Sequence, residues 1–384
     1  MTDSPILAIR RLTLTEFRNY PALRLETGAQ LVALTGANGA GKTNILEAIS
    51  LLSPGRGLRG VTFDELPRQG GSGSWAIAAE VEAEHGRVSL GTAWSGQADG
   101  GDGGGRQVVI DGEAQKGPGA LGDTMRLLWL TPAQDRLFAG PASDRRRFLD
   151  RMVTAFDPEH AARITVFEKV MRERNLLLEE ARPDPAWLSS LEAHMAEAAV
   201  AISAARLVGL EALETHIGEG RETSSFPWAE VAVAGEIEAL VAQKPAVQVE
   251  DEYRRILRDS RGLDRAAGRT LRGPHRSDLE VVHGPKRMAA AHCSTGEQKA
   301  LLIGLVLAQA RAVKAGAGVP PLLLLDEVAA HLDRARRRSL IEALSALGSQ
   351  SWMTGTDAVL FEAIGEMGQV FQVEDGRVSE AMED

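Results

Sequence analysis

A glycine-rich run at residues 36–43 constrains this 384-residue chain more than any other feature. It reads Gly36-Ala37-Asn38-Gly39-Ala40-Gly41-Lys42-Thr43 and fills the pattern G-x-x-x-x-G-K-[ST]. Apolar Leu31-Val32-Ala33-Leu34 precedes it, and the amphipathic run Asn44-Ile45-Leu46-Glu47-Ala48-Ile49 follows. The order predicts strand, phosphate loop, helix. Glycines let successive backbone N–H groups turn inward around a phosphate, and the helix adds its positive N-terminus. Lys42 would reach the outer phosphates and Thr43 would hold Mg²⁺. A nucleoside triphosphate is the expected ligand.

The rest of the composition is that of an ordinary globular protein, with 44% hydrophobic and 25% charged residues. The length suggests about two or three domains. No run approaches the roughly 18 consecutive apolar residues of a membrane span. The start, Met-Thr-Asp-Ser-Pro, lacks the basic patch and apolar core of a signal peptide. Cys293 is the only cysteine, which excludes an internal disulfide and disfavours a cysteine-based zinc site. These features predict a cytoplasmic protein without a membrane partner.

The net charge is −10, so any nucleic-acid surface must be local. One candidate is the arginine-rich stretch 254–276, in which Arg254, Arg255 and Arg258 lead. Arg145-Arg146-Arg147 is a second basic cluster. The plainer reading of either is a solvated face, or, for Arg269–Arg276, a structural role.

Period-two patterning predicts strands before the phosphate loop, a hairpin over 75–83 and 87–94, and a strand over 107–112 that ends in a turn. Gly96 to Gly105 reads as a loose loop. After Pro141 the texture becomes rich in Ala, Glu, Leu and Arg. Ile164, Phe167, Met171 and Leu178 form one helical stripe. Trp187, Leu191, Met195, Ala198 and Ile202 form a second, after Pro183-Asp184-Pro185, where Asp184 caps and Pro185 opens the helix. This predicts a helical hairpin whose second arm runs roughly 50 Å. Strands return at 228–233 and 278–282. A long helix over 297–315 follows, then a buried strand, Leu322-Leu323-Leu324-Leu325, ending in Asp326-Glu327. A helix at 334–347 and a strand at 351–354 come next. The fold class is α/β: a phosphate-loop head with a mixed, mostly parallel sheet and an inserted α-helical lobe. The expected division is 1–136, 137–225 and 226–384.

In phosphate-loop enzymes an acid ending an apolar strand orients Mg²⁺, and Asp326 suits that role. Glu327 would polarise the attacking water. Ser294-Thr295-Gly296-Glu297-Gln298 opens the long helix. In isolation it reads as a plain N-cap; beside a phosphate loop it suggests a second phosphate-binding helix end.

The order phosphate loop, helical insertion, S-T-G-E-Q, L-L-L-L-D-E, H-L-D resembles the ABC-type ATPase heads that include SMC proteins. The finer resemblance is to the RecF family of bacterial recombination mediators. It is carried by Phe17-Arg18-Asn19-Tyr20, Arg145–Asp150, Arg174–Leu178, Gly273–Leu279, Cys293–Lys299 and Thr354-Gly355-Thr356-Asp357. The loop at 96–105 and the segment 234–248 carry none of it.

That resemblance implies an ATP-driven homodimer with Mg²⁺. Gly36–Thr43, with Asn44, Arg18 and Asn19, would bind ATP in one copy. Ser294, Thr295, Gly296, Glu297 and Gln298 of the other copy would contact it in trans. Glu327 becomes the catalytic carboxylate, and Gln134, Asp333 and Thr356 become nucleotide-sensing residues. The resemblance further implies binding of duplex, gapped or junction DNA, a RecR-like partner, recombinase loading in repair and replication restart, and a weak, DNA-stimulated ATPase whose slow hydrolysis acts as a timer. A transporter ATPase subunit or an SMC-like tether is the alternative. The chain has no histidine at 351–360, where transporter heads carry their switch, and its helical insertion is short for a tether.

Overall fold

The computed structural model describes residues 7–83, 86–96, 105–219, 221, 224–330 and 332–381. Most of the expected glycine loop at 96–105, and His331 of the H-L-D segment, lie outside them. The chain forms two compact units. The first comprises Met1–Asp135, Thr223–Phe226 and Leu302–Asp384. The second comprises Arg136–Glu222 and Pro227–Leu301.

Among its described residues the first unit holds two six-stranded sheets. One is antiparallel and runs from Tyr20–Glu26 through Ala8–Phe17, Trp75–Ala83, Gly86–Trp94 and Gln107–Ile110 to Glu113–Ala114. The other runs Arg377–Glu380, Gly368–Glu374, Leu31–Thr35, Ser351–Gly355, Leu322–Leu325, Leu127–Leu130. All neighbours in it are parallel except the edge pair Gly368–Glu374 and Arg377–Glu380. A parallel strand covered on both faces is apolar throughout. Leu322, Leu323, Leu324 and Leu325 are accordingly all buried, each worth about 1.5–3 kcal/mol of burial.

The register determines what this sheet delivers. Leu325 lies beside both Met353 and Leu130, and Thr354 beside Leu34. Four neighbouring parallel strands therefore end together, so residues 36–43, 356–357, 326–327 and 131–134 emerge from their carboxyl ends. Ligands of open α/β sheets bind outside those ends.

The second unit is mainly helical. Ala142–Phe156, His160–Glu179 and Pro185–Glu219 are its longest helices within the predicted insertion. Asp184 caps the third, its Oδ1 accepting from the Ala186 N–H at 2.7 Å. The predicted stripes meet in one core containing Phe167, Leu178, Leu191, Met195, Ala198 and Ile202. Trp187 does not join them and is 55% exposed.

The insertion does not stop at 225. The core of this unit also takes Ile237, Val249, Tyr253 and Leu257, from helices Glu236–Val241 and Ala246–Asp259. Pro227–Leu301, expected in the second half of the head, thus groups with the helical unit. The buried Arg174 ties the segments: it donates to Glu192 at 3.1 Å, Asp264 at 2.8 Å and the Leu257 carbonyl at 2.7 Å.

The helix Thr295–Ala317 is long and apolar enough by composition to cross a membrane, which the sequence reading did not anticipate. Of its most apolar window, 67% is buried in the protein, as in a core helix.

Candidate functional site

The phosphate loop follows Leu31–Thr35 and opens the helix Lys42–Ser50. At two of its glycines close approach as well as backbone conformation excludes a side chain. Gly36 has φ +140°, and a Cβ there would lie 2.2 Å from the Val373 carbonyl oxygen. Gly41 has φ +115°, and its Cβ would collide with the side chains of Asn19 and Tyr20. Lys42 folds back over the loop, donating to the carbonyls of Gly36 at 2.6 Å and Ala37 at 2.8 Å. Burial pushes its ammonium below the usual value, and the neighbouring Glu327 and Asp326 carboxylates work against that shift. The loop backbone at Ala37, Asn38 and Gly39 is exposed.

Asp326 stands beside the loop. Its carboxylate accepts from the Thr43 hydroxyl at 2.9 and 3.2 Å. It also accepts from the Thr354 hydroxyl at 2.7 Å. Thr354 in turn accepts from the Glu327 N–H at 2.8 Å. Glu327 has φ +49°, a left-handed conformation uncommon outside glycine and a store of local strain. One hydroxyl therefore positions both acids. A hydroxyl and a carboxylate at hydrogen-bond distance, with open loop backbone alongside, are the oxygen donors a Mg²⁺–triphosphate takes. Thr43 and Asp326 fit that ion.

Of the other expected nucleotide residues, Arg18 and Asn19 brace the loop and the helix that follows it. Arg18 makes a two-pronged pair with the buried Glu47, both contacts at 2.8 Å. The Asn19 amide donates to the Ala40 carbonyl at 3.2 Å and its oxygen accepts from Asn44 at 2.8 Å. Gln134 caps its own turn, accepting from the Thr131 N–H at 2.9 Å, while its buried Nε2 has no hydrogen-bond partner. That unsatisfied donor, at the same strand ends, is a group an incoming oxygen ligand would satisfy. Asp333 caps the helix Arg334–Leu347 by accepting from the Arg336 N–H at 2.8 Å. Thr356 is exposed.

Nothing in the sequence gives Thr354 a role of its own, and the nucleotide-sensing expectation falls on Thr356 instead. The available cue was its place as the hydroxyl residue at the end of an apolar strand, Trp352-Met353-Thr354.

In the second unit, Ser294–Gln298 opens the helix Thr295–Ala317. The Ser294 N–H donates to Glu297 Oε2 at 3.0 Å, and Lys286 pairs with the same carboxylate. Lys286 first, and the Ser294 contacts second, pull the Glu297 carboxyl down to about 2. Gln298 is turned inward, donating to the Cys293 carbonyl at 2.9 Å. Ser294 and Thr295 are exposed, and nothing lies within 4 Å of a Cβ built on Gly296. The motif presents a hydroxyl, a bare glycine and a helix N-terminus to the outside.

The basic clusters divide. Arg145 makes two contacts to Asp278 inside the unit, at 2.8 and 2.7 Å, which give it a structural role. Arg146 is half-buried and donates to the Ser277 carbonyl at 2.7 Å. Arg255 and Arg258 are exposed, whereas Arg254 faces Glu250 and Asp251 on its own helix.

A parallel sheet whose strand ends carry a phosphate loop, a hydroxyl–acid pair and a positioned second acid defines a phosphate-loop ATPase head. The model of the RecF/RecN/SMC N terminal domain matches residues 8–379, and the chain belongs to that family. It is 49% identical over 374 residues to the DNA replication and repair protein RecF of Rhizobium leguminosarum bv. trifolii, spanning 97% of this chain and 99% of that one. It is 49% identical over 371 residues to the protein of the same name from Mesorhizobium japonicum, spanning 96% and 97%. Among solved structures, the recombination mediator protein RecF with ATPrS, in the RecFOR pathway, superposes with a TM-score of 0.85 over 100% of both chains at 24% identity. That likeness shows a shared fold.

Proposed function

We propose that this protein is an ATP-dependent DNA-binding switch of recombinational repair and replication restart. The contact of Thr43 with Asp326, beside a lysine already lying on the phosphate loop, carries the proposal. Lys42 leaves the loop carbonyls to grip the β- and γ-phosphates. Thr43 and Asp326 would hold Mg²⁺, which would neutralise phosphate charge. Glu327 orients a water toward the γ-phosphate. The open Ser294–Gly296 end of a second copy completes the site, so ATP joins two copies of the chain. Slow hydrolysis then times their separation.

The names of the similar proteins support DNA replication and repair as the setting. Gapped or duplex–single-strand junction DNA is the proposed substrate, with a RecR-like partner and recombinase loading as the outcome, in the cytoplasm. The exposed Arg255 and Arg258 supply part of the phosphate contact. The test is Glu327→Gln with saturating ATP and Mg²⁺, followed by light scattering. A stable dimer is expected, and a variant that stays monomeric would sink the shared-site reading.

A further inference from the structure

The second unit contains a cavity of about 480 Å³ that the ATPase chemistry does not use. Its walls come from the helices Ala142–Phe156, His160–Glu179 and Pro185–Glu219 and the turn Pro274–Arg276. Arg146, Arg147 and Arg151 enter from the first helix and Arg206 from the third, with Asp150 and Glu168 as the acids of the lining. Ile164, Phe167, Ile202 and Pro274 make an apolar floor, and the His275 ring lies 5.7 Å from that of Phe167, tilted by 34°.

These arginines are not equivalent. Arg206 is tied to Asp150 at 2.8 and 3.0 Å and to Glu238 at 2.7 Å, so it is already neutralised. Arg147 stands at the rim, 74% exposed, beside Asp144. Arg146 meets a neutral carbonyl, that of Ser277. The Arg151 guanidinium lies over the Phe148 ring at 5.8 Å. Burial first, and like charge second, press on this group: Arg151 is pushed down to about 10 by burial and Arg147, and Arg146 is lowered by burial and Arg206. Burial, then Arg276 and Arg146, lower His275 too, keeping its ring neutral and available for stacking. The Nδ1 of His275 is buried without a partner. Crowded, half-desolvated guanidiniums gain most from a bound anion.

We propose that this cavity binds a small phosphate monoester whose flat apolar body rests on the floor beside His275. Guanidiniums match phosphate geometry with paired N–H donors and also stack on planar rings. The volume falls within the range for a nucleotide-sized ligand rather than a lone ion. This site is separate from the phosphate loop and does not depend on the ATP reading.

Thymidine 5′-monophosphate, thymidine and inorganic phosphate serve as probes, measured by calorimetry on the full chain and on Lys42→Ala, which disables the phosphate loop. The monophosphate is expected to bind both proteins equally and at least tenfold tighter than either thymidine or phosphate. Arg147→Glu, at an exposed position, is expected to weaken it at least tenfold. Ala161→Phe, which fills cavity volume, is expected to do the same. Equal affinity for phosphate and the monophosphate overturns an organic ligand. A 5′-phosphorylated oligonucleotide that binds tenfold tighter and loses this advantage in Arg147→Glu overturns a small one in favour of a strand end. Absence of saturable binding, or binding indifferent to both cavity variants, overturns the site.

Discussion

The Thr354 hydroxyl donates to Asp326 Oδ1 at 2.7 Å and accepts the Glu327 N–H at 2.8 Å. Thr354 lies at the end of one strand and the two acids follow the adjacent one, so a single side chain sets the aim of both. Thr354→Val keeps the shape and removes both contacts. It leaves a buried carboxylate short of one donor, a loss of about 1–3 kcal/mol. ATP turnover is expected to fall at least about tenfold with a smaller change in ATP affinity, and Thr354→Ser is expected to restore most of it. Steady-state ATPase assays with calorimetric ATP titration check this.

Lys42 is buried against two loop carbonyls that do not need its charge. Lys42→Ala is expected to weaken ATP binding by about 30-fold or more, roughly 2 kcal/mol, with little change in melting temperature. Unchanged nucleotide affinity in calorimetry counts against the assignment.

Arg174 is fully buried with Glu192 and Asp264. Removing one member of a buried ion network strands the others, at about 3–5 kcal/mol. Arg174→Ala is expected to lower stability of the helical unit by that order in urea unfolding, while the isolated ATP affinity of the phosphate loop changes little.

Arg145 and the pair Arg255, Arg258 separate structure from DNA contact. Arg145→Gln breaks the pairing with Asp278 and is expected to lower the melting temperature. Replacing Arg255 and Arg258 with Gln is expected to leave stability unchanged and to reduce the log–log salt dependence of DNA binding by about 1.8, near 0.9 per lost phosphate contact. A salt slope identical to that of the parent removes these two from the interface.

Glu297 is held at about 2 from an ordinary 4.5, by Lys286 first. A depressed carboxyl stabilises the folded form fully above its unfolded value and loses that contribution as pH falls through the folded value. The N-terminal turn of its helix is therefore expected to loosen between pH 4.5 and 2. Carboxyl NMR titration should place Glu297 near 2, and Lys286→Ala should move it up toward the ordinary value.

Features set by neighbours in the chain were readable without a structure. The phosphate loop, the buried Leu322–Leu325 strand with its terminal acids, the Asp184 cap and the Ser294 helix start are local patterns. Backbone conformation and hydrogen bonding within a few residues enforce them. Features set by contact across the chain were not. Which hydroxyl meets Asp326 depends on the parallel register of Ser351–Gly355 against Leu322–Leu325. Arg145 meets Asp278, 133 residues away, so an arginine that reads as a surface charge becomes an internal strut. The helices of 227–301 join the insertion because Tyr253 and Leu257 find their core among Phe167, Leu191 and Met195. Burial is a property of the assembled surface, and no local spacing encodes which distant residue will cover a given side chain.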